Sequence, residues 1–202
     1  MADLPLGVLT ATVWTYWSCV GFMIARIRRK QRKLVGVPEQ TLERTMWLVW
    51  VPLVFLWAWL PWQAQKHATG LLALPEFAHG DLYAGLRLGA AAGGVICLAF
   101  TIRCWVRMGK DWRMEASRDN TNLITDGLFS RIRHPIYAFS VLLMLCSAVI
   151  LPSVPMAAVA VVHIALMNIK ARNEERHLLQ SHGEAYARYV ARTGRFFPRL
   201  GS

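Results

Sequence analysis

The chain has 202 residues, of which 55% are hydrophobic, and its formal net charge is +11. This length predicts one domain, and the hydrophobic fraction is too high for an ordinary soluble one. A strongly basic chain can indicate nucleic-acid binding, but here the basic residues lie between long apolar runs. Membrane topology therefore explains the charge, and no nucleic-acid partner is expected.

Five apolar segments approach the length of about 20 residues that a helix needs to cross a bilayer. In chain order they cover residues 5–27, 46–62, 82–106, 136–151 and 155–167. No basic segment precedes the first one, so it is expected to be a retained helix and not a signal peptide. The last two segments are short and lie three residues apart, which predicts a tight antiparallel hairpin with Pro155 in the first turn of its second helix. The fold class is therefore all-α: a membrane helical bundle of about five transmembrane helices, followed by cytoplasmic C-terminal helices.

The basic residues divide unequally between the two sides of such a bundle. Of 23 lysines and arginines, only Lys66 and Arg87 fall on one side, which leaves 21 on the other. The positive-inside rule then puts the N-terminus outside and the C-terminus in the cytoplasm. The short chain and minimal loops suggest a bacterial inner membrane. We expect a single membrane domain, with three helices in residues 1–106 and a second part in residues 107–202.

Gly85, Gly89 and Gly93 recur every four residues on the third predicted helix. A stripe of small residues lets a neighbouring helix approach closely, either within the subunit or between subunits, so an oligomer through these glycines is possible. The alternative is that glycine is simply common in membrane helices.

The first of two polar segments reads NLITDGLFSRIRHPIY and ends at Tyr137. A turn is predicted at Gly127. Pro135 favours extended or turn geometry for His134 and is well suited to the first position of the fourth helix. Arg133, His134 and Tyr137 are therefore expected at the start of that helix, where backbone N–H groups favour anions and a guanidinium can bind a carboxylate. In the alternative, His134 only caps its own turn.

The second polar segment reads IKARNEERHLLQSHGEAYARYVARTGRFFP and extends the fifth helix out of the membrane. Gly183 is the predicted end of that helix, and a second amphipathic helix is predicted over residues 184–193. Arg172 and Glu175 share a face, whereas Glu174 and Glu175 point about 100° apart. The alternative is a solvated charged helix followed by an interfacial helix on anionic lipid.

Together the two segments resemble the membrane-bound isoprenylcysteine carboxyl methyltransferases and the related phospholipid N-methyltransferases. The first family block is matched by Leu123, Ile124, Thr125, Gly127, Arg133, His134, Pro135 and Tyr137. The second is matched by Arg172, Glu174, Glu175, Gly183, Tyr186, Tyr189 and Pro198. The chain departs from the family pattern at Asn122, Phe129 and His182, where the family usually has His, Tyr and Phe.

The resemblance implies an S-adenosylmethionine-dependent methyltransferase with a cytoplasmic cofactor pocket between the two blocks. It also implies a lipophilic or amphiphilic acceptor that enters from the bilayer, among the membrane lipids. The implied cofactor-binding residues are Asn122, Leu123, Ile124, Gly127, Arg133, His134, Tyr137 and Glu175, and the implied catalytic residues are Arg172, Glu174 and Glu175. The soluble nucleotide-binding signature, a strand followed by G-x-G-x-x-G, is absent from the sequence, so cofactor binding would use a different architecture.

Methyl transfer from a sulfonium is an in-line displacement, so positioning and water exclusion are much of the protein's task. A general base is needed only for a protonated acceptor. Glu174 or Glu175 would serve an amine or a thiol, whereas Arg172 would orient an acceptor that is already a carboxylate.

Two other classes of protein remain as alternatives. NADPH-dependent membrane reductases of sterol-like substrates share a similar C-terminal arrangement, but they tend to carry Asn after the His where this chain has Pro135. A non-catalytic membrane protein such as a transporter subunit often shows internal repeats, and the sequence has none. No metal site is expected, because His177 and His182 are five apart and the four cysteines have no CxxC spacing.

Overall fold

The computed structural model describes residues 3–31, 41–67, 69–109 and 123–199. Within these ranges the chain is helical and contains no β-strand, as the sequence predicts. The five helices are α1 Leu4–Gln31, α2 Thr41–Lys66, α3 Asp81–Met108, α4 Pro135–Ile150 and α5 Val154–Arg192. Short 3₁₀ turns cover Gly70–Leu72, Glu76–His79 and Gly127–Ser130.

Four of these helices are long and apolar enough to cross a membrane, which makes the chain an integral membrane protein. The spans lie over Leu4–Arg26, Thr45–Lys66, Asp81–Met108 and Val154–Arg192. The remaining helix, α4, has 16 residues, so it is about 24 Å long against a hydrocarbon core of about 30 Å. Ile150 and Leu151 at its far end are fully buried in protein. The fifth expected crossing is thus a short helix whose end the rest of the bundle covers.

α4 and α5 form the expected tight hairpin. The Ser153 side chain caps α5 by accepting a hydrogen bond from the Met156 backbone N–H at 3.4 Å. Pro155 lies in the first turn of α5, where it lacks only an N–H that a helix leaves unpaired anyway.

α4 packs closely along α3 because two glycines leave room for it. A Cβ on Gly93 would lie 3.4 Å from Cys146 Sγ, and one on Gly94 would lie 3.2 Å from Leu143 Cδ1. This part of the small-residue stripe therefore serves packing within the subunit.

The other two glycines of the stripe face outward. A Cβ on Gly85 or Gly89 would meet no atom within 4 Å. Both line an open surface groove of about 580 Å³ that Asp81 and Val149 also border. An oligomer contact through Gly85 and Gly89 stays a prediction.

A polar cluster lies inside the bundle, between α2, α4 and α5. Trp57 donates its indole N–H to Ser147 Oγ at 2.9 Å, and His163 Nε2 lies 3.0 Å from Ser140 Oγ. The rings of Trp57 and His163 pack at a centroid distance of 4.9 Å. Lipid cannot form hydrogen bonds with these polar groups, so the groups bind one another. The cluster therefore stabilises the packing of the three helices.

The backbone of α5 breaks at Gly183, as the sequence predicts. Gly183 has φ +49°, a conformation that glycine adopts at little cost. The segment after the break turns inward and buries the side chains of Tyr186 and Tyr189, which are 1% and 3% exposed. This segment therefore packs against protein, and it forms one wall of the site described next.

Candidate functional site

The site begins at the turn before α4. His134 has φ −122° and ψ 63°, outside the helical region, because Pro135 follows it and opens the helix. Its imidazole is buried and stacks on the Tyr137 ring at a centroid distance of 5.4 Å and an interplanar angle of 4°. The proline thus fixes the position from which both side chains point toward α5.

Both side chains contact Glu174 on α5. The Tyr137 hydroxyl donates a hydrogen bond to Glu174 Oε1, and His134 Nδ1 lies 3.5 Å from Glu174 Oε2. Each carboxylate oxygen can accept about two hydrogen bonds, so Glu174 keeps capacity for a further donor.

Glu175 is held much more tightly, by two arginines. Arg133 Nε donates to Oε1 at 2.9 Å. Arg195 Nε lies 3.0 and 3.1 Å from the two oxygens, and its Nη2 donates to Oε2 at 2.5 Å. His134 Nε2 approaches Oε1 to 3.4 Å, an ion-pair distance without hydrogen-bond geometry. Both oxygens of Glu175 are therefore committed to cations.

Arg133 also binds backbone carbonyl groups at the end of α5. Its Nη1 donates to the backbone carbonyl of Thr193 and, at 3.4 Å, to that of Val190. These are carbonyls that a helix C-terminus leaves unpaired, and a cation also suits the negative end of the helix dipole. The guanidinium expected to bind an anion at the start of α4 thus pairs with the protein's own carboxylate and helix end.

The C-terminal tail completes the site by pairing with the turn before α4. Arg133 N donates to Gly194 O at 2.8 Å, and His134 N donates to Arg195 O at 3.1 Å. Gly194 N donates to Arg131 O at 3.1 Å, which makes a single parallel bridge. The tail therefore fixes the backbone of the two residues that meet the glutamates.

The charges in the site shift the ionisation of His134. Burial lowers the pKa of His134, but the two nearby carboxylates of Glu174 and Glu175 outweigh it, so the pKa lies above its usual 6.5. The Glu175 carboxylate likewise raises the pKa of Arg195. Two carboxylates, two guanidinium groups and an imidazole with raised basicity therefore form one compact ionic cluster.

Comparison with known proteins identifies this part of the chain. Residues 89–185 match the family model for phospholipid methyltransferases. This stretch, just under half of the chain, is similar to the phospholipid methyltransferase family. The match includes the second half of α3, all of α4 and α5 up to its break. The family expected from the two sequence blocks is thereby confirmed.

Two curated relatives are similar to this chain over a stretch of 85 residues. The nickel-cobalt-cadmium resistance protein NccN of Alcaligenes xylosoxydans xylosoxydans is 33% identical over 42% of the chain and 40% of its own length. The cobalt-zinc-cadmium resistance protein CzcN of Cupriavidus metallidurans is 35% identical over 42% of the chain and 39% of its own length. The alignment thus spans about two fifths of each relative.

Most of the residues expected in the site come together in the structure. Arg133, His134, Tyr137, Glu174 and Glu175 form the ionic cluster described above. They come from two elements about 40 residues apart in sequence, inside the family match.

The other expected site residues lie elsewhere or outside the described ranges. Gly127 has φ +59° and opens the 3₁₀ turn before α4, and Leu123 and Ile124 lie half-buried in the segment leading to it. Asn122 lies outside the described residues. Arg172 is exposed to solvent, and a catalytic role for it stays a prediction.

Sequence reasoning missed two contributors. Arg195 counts only as one more basic residue of the tail in the sequence, because nothing in its spacing ties it to Glu175. Tyr186 matches the second family block, but its environment shows only in the fold: its buried hydroxyl has no hydrogen-bond partner among the described residues. The one sequence signal near Arg195 is Gly194, a glycine in a polar tail where the backbone makes a close approach.

Proposed function

We propose that this protein transfers a methyl group from S-adenosylmethionine to a lipophilic or amphiphilic acceptor at the cytoplasmic face of the membrane. The observation that carries the proposal is the convergence of His134, Tyr137 and Glu174 beside the doubly held Glu175. This constellation lies where the polar ends of apolar helices meet. The match of residues 89–185 to the phospholipid methyltransferase family model supports the reaction class.

The polar groups of the site fit an ammonium- and carboxylate-bearing cofactor. Within the described part of the chain, the Tyr186 hydroxyl is buried without a hydrogen-bond partner, whereas His134 Nε2 lies 3.4 Å from Glu175 Oε1. Buried polar atoms normally have partners, so the Tyr186 hydroxyl is available to a bound molecule. Glu174 can accept a hydrogen bond from an ammonium group, and the first turn of α4 presents backbone N–H groups that suit a carboxylate.

The chain's own residues act by binding, orientation and exclusion of water. When bound, S-adenosylmethionine supplies an electrophilic methyl group on a sulfonium. Glu174, held by Tyr137 and His134, is the carboxylate with spare acceptor capacity for the ammonium end. The fixed turn before α4 and the buried Tyr186 wall hold the reacting groups out of water, which is the main contribution a protein makes to an in-line displacement.

The two glutamates differ in the cations that surround them. Both oxygens of Glu175 accept hydrogen bonds from Arg133 or Arg195, which strongly disfavours taking up a proton. Glu174 accepts a hydrogen bond from Tyr137 and lies beside His134 and the charge of Lys170, but no guanidinium binds it among the described residues. We therefore assign any proton transfer from an amine or thiol acceptor to Glu174, whereas an acceptor carboxylate needs no base.

Exposed apolar side chains support a lipophilic acceptor, and the distribution of basic residues supports a topology. Large apolar side chains such as Val106 and Ile169 are exposed on the helices near the site, as lipid-facing residues are. We infer that the acceptor enters from the bilayer. We also propose an N-terminus outside and a C-terminus in the cytoplasm of a bacterial inner membrane, which puts 21 of the 23 lysines and arginines on the cytoplasmic side.

Calorimetric binding to detergent-purified protein tests the cofactor. S-adenosylhomocysteine and NADPH are titrated in parallel into the wild type, into Glu174→Gln and into Arg188→Gln, a control at an exposed residue. We expect the wild type and the control to bind S-adenosylhomocysteine with micromolar affinity and not to bind NADPH. Glu174→Gln is expected to bind at least tenfold more weakly.

Binding of NADPH alone would replace the proposal with a membrane reductase. If Glu174→Gln kept both its affinity for S-adenosylhomocysteine and its activity, the role assigned to Glu174 would be wrong. Transfer of labelled methyl groups from S-adenosylmethionine into a total lipid extract then identifies the acceptor class.

A further inference from the structure

Arg195 makes more hydrogen bonds to Glu175 than Arg133 does, although it lies ten residues beyond the family match, which ends at residue 185. Its guanidinium reaches both oxygens of Glu175, with distances of 2.5 to 3.1 Å. The same guanidinium donates through Nη1 to Asn168 Oδ1 at 3.3 Å. Asn168 lies two helical turns before Glu175, so the Arg195 side chain joins two residues that are two turns apart on α5.

The backbone of Arg195 contacts the other half of the site. Its carbonyl oxygen accepts the His134 N–H at 3.1 Å, next to the bridge between Ile132 and Gly194. One residue of the tail thus holds His134 through its backbone and Glu175 through its side chain. Any displacement of the tail would move both walls of the site at once.

Neither Arg133 nor Arg172, the two arginines expected in the site, can take this place. The Arg133 guanidinium is divided between Glu175 Oε1 and the last carbonyls of α5, so it leaves Oε2 to Arg195. Arg172, the arginine of the family block, is exposed. Without Arg195, Glu175 Oε2 would lose its cationic partner and the carboxylate would be free to turn.

We propose that Arg195 is a positioning residue: it clamps Glu175 and docks the C-terminal tail on the turn before α4, so that His134 and Glu174 face the bound ligand. This inference rests on the proposed function for its ligand. It adds a requirement for the tail that the family match does not contain. Arg195 itself need not touch the ligand, because it acts through Glu175 and the His134 backbone.

Two independent measurements on the full-length protein in detergent test the clamp. The first is calorimetric affinity for S-adenosylhomocysteine in Arg195→Gln, Arg195→Lys and Arg195→Ala, with Arg188→Gln as the exposed control. The second is hydrogen exchange of the amides at residues 133 and 134, which reports docking of the tail without any ligand.

We expect Arg195→Gln to bind about tenfold or more weakly, the loss typical of a charged hydrogen-bonded contact. Lysine should restore part of the affinity, since it replaces a fork of donors by a point charge. Added guanidinium should restore affinity to Arg195→Ala, which a mere loss of folding would not allow. Exchange at residues 133 and 134 should rise in Arg195→Gln and stay at the wild-type level in Arg188→Gln.

Unchanged affinity in Arg195→Gln would overturn the positioning role, whatever the exchange shows. If the wild type itself does not bind S-adenosylhomocysteine, the proposed function fails, and exchange alone then decides the clamp: faster exchange in Arg195→Gln supports it, and unchanged exchange rejects it.

Discussion

Arg87 on α3 forms a salt bridge with Asp3 at the start of α1, with Nη2 and Oδ2 2.6 Å apart. Arg87 Nε also donates to the Ile150 carbonyl at the end of α4, at 2.9 Å. Arg87 is buried, so this basic residue on the otherwise charge-poor side is an internal tie between three helices and not a loop charge. It therefore binds the bundle at the hairpin end, where the short helix α4 stops.

Removing the Asp3 charge should destabilise this end of the bundle. Asp3→Asn leaves the buried Arg87 without a compensating charge, for which we expect a loss of about 3 kcal/mol. Arg87→Met should cost less, because no buried charge is stranded. Thermal unfolding in detergent measures both, with Asp81→Asn at an exposed carboxylate as control. Equal midpoints for Asp3→Asn and Asp81→Asn would show that the pair contributes nothing.

The sequence predicts the helices well because each helix depends on local chemistry. Apolar length predicts the five helices, four of which are long enough to span a membrane, and the hairpin at Pro155 and the break at Gly183 are confirmed. What the sequence cannot show is which polar residues meet inside the bundle. The pairing of Arg87 with Asp3 joins positions 84 residues apart, and no periodicity encodes such a contact.

Removing the hydroxyl group should affect the stability of the protein differently at the two tyrosines of the second family block. Tyr189 donates to the Phe129 carbonyl at 2.6 Å, so Tyr189→Phe leaves a buried acceptor unpaired and should cost about 1–3 kcal/mol. The Tyr186 hydroxyl has no partner among the described residues, so Tyr186→Phe should leave stability unchanged or raise it. Unfolding midpoints of the two variants provide the comparison, each serving as the other's control. A larger loss for Tyr186→Phe would contradict the assignment.

Stability should depend on pH through His134. The pKa of His134 is raised in the folded protein, because Glu174 and Glu175 outweigh burial. When the pKa of a histidine is higher in the folded than in the unfolded protein, its protonation stabilises the fold. This stabilisation is complete at pH values below the pKa of the unfolded state, about 6.5, and is lost as the pH rises through the pKa of the folded state. The unfolding midpoint should therefore fall as pH increases above about 6.5. His134→Gln should flatten this part of the curve, whereas the exposed His79→Gln should not. The same slope in all three proteins would sink the idea.

Substitutions at the two adjacent glutamates should have different effects: one on stability and the other on ligand binding. Glu175→Gln leaves Arg133 and Arg195 without a carboxylate in a partly buried site, so it should lower the free energy of unfolding by about 2–3 kcal/mol. Glu174→Gln keeps those pairs and should chiefly weaken ligand binding. Unfolding and calorimetry on the same preparations distinguish the two effects. If Glu174→Gln proved the less stable variant, the division of roles would be wrong.

The site shows how far a motif can be read from sequence alone. The two family blocks correctly indicate that Arg133, His134 and Tyr137 meet Glu174 and Glu175, because their residue types and spacing match a known pattern. The blocks do not indicate that the second cation comes from the tail. That choice is tertiary: the break in α5 at Gly183 redirects the chain so that its end returns to the turn before α4.

Gly194 should tolerate no side chain, since the tail folds tightly around it. A Cβ there would overlap the Phe197 carbonyl oxygen, which is backbone and cannot turn aside. Gly194→Ala should therefore displace the tail, speed hydrogen exchange at residues 133 and 134 and lower the unfolding midpoint. Gly21→Ala is the matched control, because a Cβ at that helical position meets no atom within 4 Å and alanine favours the helix. Wild-type exchange in Gly194→Ala would mean that the tail does not dock on this turn in solution.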